Sequence, residues 1–557
     1  MPQLTIDGQL VEVPEGTSVL EAARHAGITI PTLCHRPGKP PLTSCFVCVV
    51  RVNGGARLLP SCATPVAEGM VVESETPEVH AARRTALELL LGDHLGDCVG
   101  PCQSTCPAHM DIPRMIRQIA AGQVREALIT VKERIALPAV LGRICPELCE
   151  KACRRGQADA PVSICLLKRH VADLDLASGD PYRPECAPPS GKRVAIVGAG
   201  PAGLAAAYYL AQAGHACTLF DEHPLPGGML QYGVPEALLP RDLLQAEIHL
   251  ILRLGVEFQG GVRLGESLSL EELRARHDAV LIATGPTAPE AVRALGLEPG
   301  RQGIQVDRHT LATTLPGVYA AGAAVLPSRH AVRAVGDGRT AARAIHHYLS
   351  GSPEPARDRP FTVQMGRLQA DELAPFLANA SPEPRVSPTA EAAPPAPQEW
   401  GEPDPVAPPA SGGLGGLSPD QAVRESRRCL HCDCHKQETC ALRLHAIAYG
   451  ARPNEYRGER RDYRVEQTHP ETVYEPGKCI ACGVCVQIAT EAREELGLTF
   501  IGRGLNVRVA VPLNEALRQG LRRVALACAD ACPTAALRRK DDGPTPAPGE
   551  DTSRREG

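Results

Sequence analysis

Twenty-two cysteines, most of them in tight groups separated by cysteine-free stretches, constrain this chain more than any other feature. Clustered C-x2-C spacings behind an N-terminus without signal character point to metal or cluster ligation, whereas disulfide frameworks belong mainly to short secreted chains. The opening MPQLTIDGQL has neither a charged n-region nor an apolar h-region, so a cytoplasmic protein is expected. The longest apolar stretch, residues 194–220, is broken by glycines and a Gly-Pro, and reads as a buried strand–turn–helix rather than a membrane span. A net charge of −5 without a basic run offers no footprint for nucleic acid.

At roughly 100–200 residues per domain, the chain holds about three to five domains, and its 43% hydrophobic content suffices for several cores. Residues 4–6 and 9–13 flank Asp7-Gly8, a hairpin signal. Ser18 and Glu21 then sit as a capping box, with Gly27 as the helix stop. Hairpin, helix and cysteine loop give the order of a small ferredoxin. The expected architecture is multidomain. An α+β β-grasp ferredoxin over residues 1–79 precedes an α-helical di-cluster domain over 80–185 and an α/β Rossmann-like domain over 190–352. A disordered Pro/Ala linker (377–418) leads to a ferredoxin-like cysteine region (419–540) and a disordered tail (541–557).

Cys34, Cys45, Cys48 and Cys62 are spaced C-x10-C-x2-C-x13-C. A loop carrying C-x2-C with an outlying cysteine on each side brings four thiolates to one small volume, as a [2Fe–2S] cluster requires; a structural zinc would accept the same donors. This segment resembles the N-terminal [2Fe–2S] domain of the large iron–sulfur subunit of complex I and its formate dehydrogenase relatives. DHLGDCVGPCQSTCP then supplies His94, Cys98, Cys102 and Cys106. GRICPELCEKACRR supplies Cys145, Cys149 and Cys153, and Cys165 follows. Eight ligands suffice for two [4Fe–4S] clusters, and a cysteine before proline often serves the neighbouring cluster. CPAHMDIPRMI…LPAVLGRICPELCEKAC is similar to the N-terminal domain of the glutamate synthase small subunit and of dihydropyrimidine dehydrogenase. By that resemblance Cys98, Cys102 and Cys153 share one cluster with a residue near His94, while Cys106, Cys145 and Cys149 hold the other. The family's first cysteine is absent, and His94 is the nearest substitute. Its spacing is also similar to the His-plus-three-Cys site of complex I. The family's glutamine or glutamate falls at Lys168, and Cys165, one turn earlier, is the candidate replacement. A surface histidine and a buried free thiol are the plain alternatives.

KRVAIVGAGPAGLAAAYYLAQAGHACTLFDEH places Gly198, Gly200 and Gly203 between a strand and a helix, with Asp221 ending the next strand. The first glycine makes the tight turn and the second admits a pyrophosphate. The third lets helix and strand pack, and the acid meets ribose hydroxyls. PGGMLQYGVPEALLPRDLL, DAVLIATG and TTLPGVYAAG resemble the same glutamate synthase-type flavoproteins. That resemblance implies FAD, held by Gly198, Gly200, Gly203, Asp221, Gly228 and Gly322. Members of the family insert an NADPH-binding domain between the last two motifs. Here only residues 286–316 intervene, fewer than the ~50 a domain needs. The family's GGD is Ala321-Gly322-Ala323, which removes an aspartate expected near the FAD ribityl chain.

RRCLHCDCHKQETC gives Cys429, Cys432, Cys434 and Cys440, a candidate [4Fe–4S] or zinc set. GKCIACGVCVQIA gives Cys479, Cys482 and Cys485, and ADACPTAAL gives Cys532. The latter set resembles the [4Fe–4S] module of the complex I large subunit, with Cys528 a bystander or alternative fourth ligand. Cys186 and Cys217 stand alone. One [2Fe–2S] cluster, three or four [4Fe–4S] clusters and FAD imply an electron-transfer subunit of a multi-subunit oxidoreductase of NADH dehydrogenase, formate dehydrogenase or hydrogenase type. Its partners would be FMN-containing NADH-oxidising subunits, or a molybdopterin formate dehydrogenase or hydrogenase. The alternatives are a self-contained NAD(P)H-dependent reductase of glutamate synthase small-subunit type, and a cluster-bearing scaffold whose flavin site has decayed. No catalytic triad or H-E-x-x-H supports hydrolysis.

Overall fold

Asp7 and Gly8 both take positive φ, 48° and 84°, and so close a two-residue turn between strands β1 (Gln3–Ile6) and β2 (Gln9–Glu12). This computed structural model describes residues 1–352, 359–387, 415–456, 458–459 and 461–540. The disordered linker expected over 377–418 falls largely outside them, and the tail at 541–557 wholly so. Helix α1 (Val19–His25) starts with the reciprocal cap expected from sequence: the Ser18 hydroxyl accepts from the Glu21 amide, and the Ser18 amide donates to the Glu21 carboxylate. Val19, Leu20, Ala22 and Ala23 are buried, and each large aliphatic side chain of this kind contributes about 1.5–3 kcal/mol. Strands β3 (Val49–Val52), β4 (Leu58–Pro60) and β5 (Met70–Glu73) complete a sheet of order β2-β1-β5-β3-β4, parallel only between β1 and β5. Helix α2 (Pro77–Gly92) follows, capped by Thr76. Its fully buried Arg83 donates to the Val49 carbonyl and to the Tyr449 hydroxyl.

The chain divides into two compact units. The first comprises Met1–Val99, Phe361–Ala378 and Cys432–Gly557, and the second Gly100–Pro360 and Asn379–His431. The second unit opens with short helices. Among them are α3 (Pro101–Thr105), α4 (Leu148–Lys151) and α5 (Ile164–Ala177). A parallel five-stranded sheet follows, made of β6 (Arg193–Val197), β7 (Ala216–Asp221), β8 (Glu257–Gly260), β9 (Ala279–Ile282) and β10 (Val318–Ala320) in the order β10-β9-β6-β7-β8. β9 and β6 are almost wholly apolar and buried, as a sheet covered on both faces requires. Helices α6 (Pro201–Gln212) and α7 (Ala331–Ser350) pack so closely that a Cβ on Gly338 would lie 2.1 Å from the Ala202 carbonyl oxygen. Between β9 and β10 the only helix is a six-residue turn, Pro289–Ala294. No second parallel sheet occurs among the described residues.

The last segment of the first unit carries α8 (Ala441–Ala448), β11 (Thr472–Tyr474), α9 (Val484–Glu491), β12 (Thr499–Ile501), β13 (Arg508–Ala510), α10 (Ala525–Ala531) and β14 (Leu537–Arg539). Two antiparallel ribbons, β11–β14 and β12–β13, frame it. The architecture is thus the multidomain combination expected from sequence. Among the described residues no helix is long and apolar enough to cross a membrane.

Candidate metal centres and dinucleotide cradle

The loop from α1 to β3 gathers the first thiols. Thr43 and Phe46 take left-handed backbone (φ 51° and 53°), which bends the chain around Cys45, and the Cys34 and Cys45 sulfurs lie 3.4 Å apart. Donation from Cys45 pulls the Cys34 thiol down to about 5, and Cys62 similarly pulls Cys48 down to about 6. All four thiols are buried.

Next to this loop, in the same unit, the Ser44 hydroxyl donates to the Cys482 carbonyl at 3.0 Å. Cys479 and Cys482 lie on the turn before α9 and Cys485 in its first turn, a turn made possible by positive φ at Ala481 and Gly483. Cys532 caps the C-terminus of α10, and its sulfur accepts from the Leu537 amide. Burial pushes Cys482 up to about 12, with Cys532 and Cys479 adding to it. Cys528, buried against the Cys485 carbonyl, stands beside this set.

The structure regroups the remaining thiols of the first unit. His94, Asp97, Cys98, Cys434, Cys440 and Lys478 line one narrow recess. The Cys434 amide donates to the Cys98 carbonyl at 3.3 Å, and the Ala441 amide to the Pro533 carbonyl at 3.0 Å, which seats this recess beside Cys532. The buried Nδ1 of His94 has no hydrogen-bond partner. Burial first, then Lys478, lowers its pKa to about 4, leaving the neutral imidazole a metal needs. Lys478 is itself buried, its ammonium 2.9 Å from Glu475, which also accepts from the Tyr463 hydroxyl at 2.8 Å. One grouping implied by resemblance and one read from spacing differ from this arrangement. Resemblance puts Cys98 with Cys102 and Cys153, whereas here it lies with Cys434 and Cys440, the last two of the four cysteines that spacing groups over 429–440. Chain returning near residue 432 completes this recess.

In the second unit, Cys106 caps α3, Cys145 caps helix Pro138–Ile144, Cys149 lies in α4 and Cys165 in the first turn of α5. Cys165 is in hydrogen-bonding contact with both Cys145 and Cys149, and Cys149 lies close to Cys106. Cys102 in α3, Cys153 and Cys429 border the same core, with Cys153 and Cys429 close enough that each charge is felt by the other. Cys429 is held there by a buried knot. Glu425 accepts from the Ser163 and Val386 amides and pairs with the fully buried Arg428 at 2.9 Å. Cys186 is exposed and Cys217 buried, neither beside another thiol in these sets.

The glycine turn after β6 follows the expected division of labour. A Cβ on Gly198 would lie 2.2 Å from the Ala283 oxygen, and one on Gly203 would lie 1.9 Å from the Gly198 oxygen. Gly200 instead faces open space, bounded only by the Gly228 Cα at 4.0 Å. Asp221 accepts from the Ala199 amide at 2.7 Å and from the His223 amide at 2.9 Å. Where the expected GGD aspartate is missing, Asp337 of α7 points at the Gly322 amide. Burial raises its pKa to about 6, although Arg333 and that amide act against the shift. Sequence reasoning did not single out Asp337. Its signal, an acid two turns inside a Gly- and Ala-rich helix, has no meaning until the helix is docked.

Residues 2–77 match the model of the 2Fe-2S iron-sulfur cluster binding domain, residues 95–179 that of dihydropyrimidine dehydrogenase domain II with its 4Fe-4S cluster, and residues 196–242 that of an NAD(P)-binding Rossmann-like domain. The chain carries iron–sulfur cluster-binding and Rossmann-like domains. This iron–sulfur protein is similar to the NADP(+)-dependent formate dehydrogenase subunit beta of Moorella thermoacetica, 42% identical over 36% of this chain and 32% of that protein. It is also 42% identical to the NADPH-Fe(3+) oxidoreductase subunit beta of Geobacter sulfurreducens, over 36% of this chain and 30% of that one. The NAD-dependent dihydropyrimidine dehydrogenase subunit PreT of Escherichia coli is 39% identical over 33% of this chain and 45% of its own length. The chain thus spans 30% to 45% of the length of these curated relatives. The matched 2–77 segment carries Cys34 through Cys62, and the matched 95–179 segment carries Cys98 through Cys165.

Proposed function

We propose that this protein is an electron-relay subunit of a multi-subunit oxidoreductase, with FAD in the Rossmann-like module. Its centres would be a [2Fe–2S] cluster on Cys34, Cys45, Cys48 and Cys62 and [4Fe–4S] clusters on three further sets. These sets are Cys479/Cys482/Cys485/Cys532, His94/Cys98/Cys434/Cys440 and Cys106/Cys145/Cys149/Cys165. Cys102, Cys153 and Cys429 contribute to a fourth. Clusters bound there would pass single electrons, and FAD would exchange two-electron for one-electron traffic. The observation that carries the reading is the succession of three donor sets within the first unit. The Ser44 contact joins the first to the second, and the Ala441 contact joins the second to the third. The donor chemistry fits: soft sulfur donors, joined by one imidazole in the His94 set, suit iron–sulfur clusters, and coordinated metal deprotonates thiols that burial alone keeps neutral.

The physiological partners follow from the same reading. With no second dinucleotide-binding sheet among the described residues, the electron donor or acceptor would be a separate subunit, such as an FMN-bearing NADH-oxidising pair or a molybdopterin formate dehydrogenase or hydrogenase. Anaerobic protein titrated with NADPH is therefore expected to keep its flavin oxidised, while dithionite bleaches it. Rapid NAD(P)H oxidation by the isolated chain would overturn the proposal. It would favour the self-contained reductase, a reading to which the NADPH in the Geobacter relative's name lends weight.

The flavin assignment has its own test. Gly200 has ordinary backbone and room for a Cβ, so Gly200→Ala is expected to fold while placing a methyl group where pyrophosphate would approach. Flavin released on denaturation is expected to fall more than tenfold with iron content unchanged. Undiminished flavin would remove FAD from this site.

A further inference from the structure

Lys168 is buried, 3% exposed, one turn along α5 from Cys165, with its ammonium nitrogen 4.0 Å from the Cys165 sulfur. Residues three apart share a helix face, so both side chains enter the same recess. No carboxylate pairs with this ammonium among the described residues. The groups that act on it most strongly are Cys165, Cys145, Cys149 and Cys106, while the Glu147 and Glu150 carboxylates lie within 4.8 Å of the Cys165 sulfur. The contrast with Lys478, whose charge is met by Glu475 at 2.9 Å, is informative. A buried ammonium without a counter-ion is strongly disfavoured and would ordinarily shed its proton. As a protonated group it has three donors and no lone pair, so it cannot ligate metal.

We propose that Lys168 is the fixed counter-charge of the Cys106/Cys145/Cys149/Cys165 centre, setting the potential of the cluster bound there. The inference rests on the reading of those four thiols as a [4Fe–4S] site. Four thiolates leave such a cluster with two net negative charges when oxidised and three when reduced, and net charge is among the determinants of its potential. Reduction adds one electron from an external one-electron donor, breaks no bond and needs no proton. A cation held against the sulfurs stabilises the reduced form more than the oxidised form, so it raises the potential. Lys168 is a positioning residue acting through Cys165 and its neighbours, and it binds no iron.

The test is an anaerobic dithionite titration of the full chain followed by electron paramagnetic resonance, with iron and sulfide measured on each sample. Cys149→Ser assigns the signal, since it removes only the cluster at these thiols. If Cys149→Ser changes no signal, the reading of the site fails and the inference with it. In Lys168→Met the assigned signal is expected to need a potential lower by at least about 59 mV, a tenfold change for a one-electron couple. Lys168→Arg is expected to stay near the native value. An unshifted midpoint in Lys168→Met with full iron would overturn the inference while leaving the cluster site standing. Should Lys168→Met lose the cluster, retention in Lys168→Arg supports the charge role, and loss from both overturns it.

Discussion

Cys434→Ser is expected to remove the same cluster as Cys98→Ser, lowering iron by about four atoms per chain, although 335 residues separate the two positions. The two mutants should lack the same paramagnetic signal, and the double mutant should lose no more than either alone. Cys102→Ser, only four positions from Cys98, is expected to leave that signal in place. The reason is geometric. Cys98 shares its recess with His94, Cys434 and Cys440, whereas Cys102 rides on α3 in the second unit. His94→Ala should perturb the same signal, because its buried Nδ1 has no other partner and its imidazole is held neutral. If Cys102→Ser and Cys98→Ser instead remove one signal while Cys434→Ser removes a different one, the regrouping is wrong.

The second large effect concerns stability. Glu475→Ala leaves the Lys478 ammonium buried without its carboxylate and strands the Tyr463 hydroxyl. Burial pushes Glu475 upward in pKa, yet Lys478 more than reverses this, and the net shift is downward, so the pair is ionised in the folded chain. Breaking a buried pair from one side costs about 3–5 kcal/mol, which for a unit of this size lowers the unfolding midpoint by on the order of 10 °C. Replacing both partners, Glu475→Ala with Lys478→Met, is expected to recover much of that loss, since no bare charge then remains. A single mutant as stable as the parent would show that solvent reaches Lys478.

Much of the local structure was legible in the chain. Asp7-Gly8 turns the hairpin because both residues tolerate positive φ, and Ser18 with Glu21 caps α1 because both groups lie within one helical turn. The glycine triplet at residues 198–203 is equally legible, since the collisions a Cβ would suffer are with backbone only a few residues or one strand away. The same locality explains why the C-x2-C loops at Cys45 and Cys479 are recognisable without coordinates. Resemblance failed where ligands come from separate stretches of chain. Spacing groups Cys429 to Cys440 by nearness and resemblance puts Cys98 with Cys102 and Cys153, whereas His94 and Cys98 lie with Cys434 and Cys440 across the whole Rossmann-like segment.

The chemistry of this protein is written in its residues taken one at a time: how many thiols there are, which stand two apart, and which glycines have no room for a side chain. These are properties of short segments, because a turn or a metal loop closes over a few bonds. Which thiols face one another, which buried lysine has a carboxylate and which has only sulfur, and which acid meets the Gly322 amide were decided by tertiary structure alone. Those relations depend on how distant helices dock, and docking follows from burying apolar faces that carry no record of the ligands riding on them.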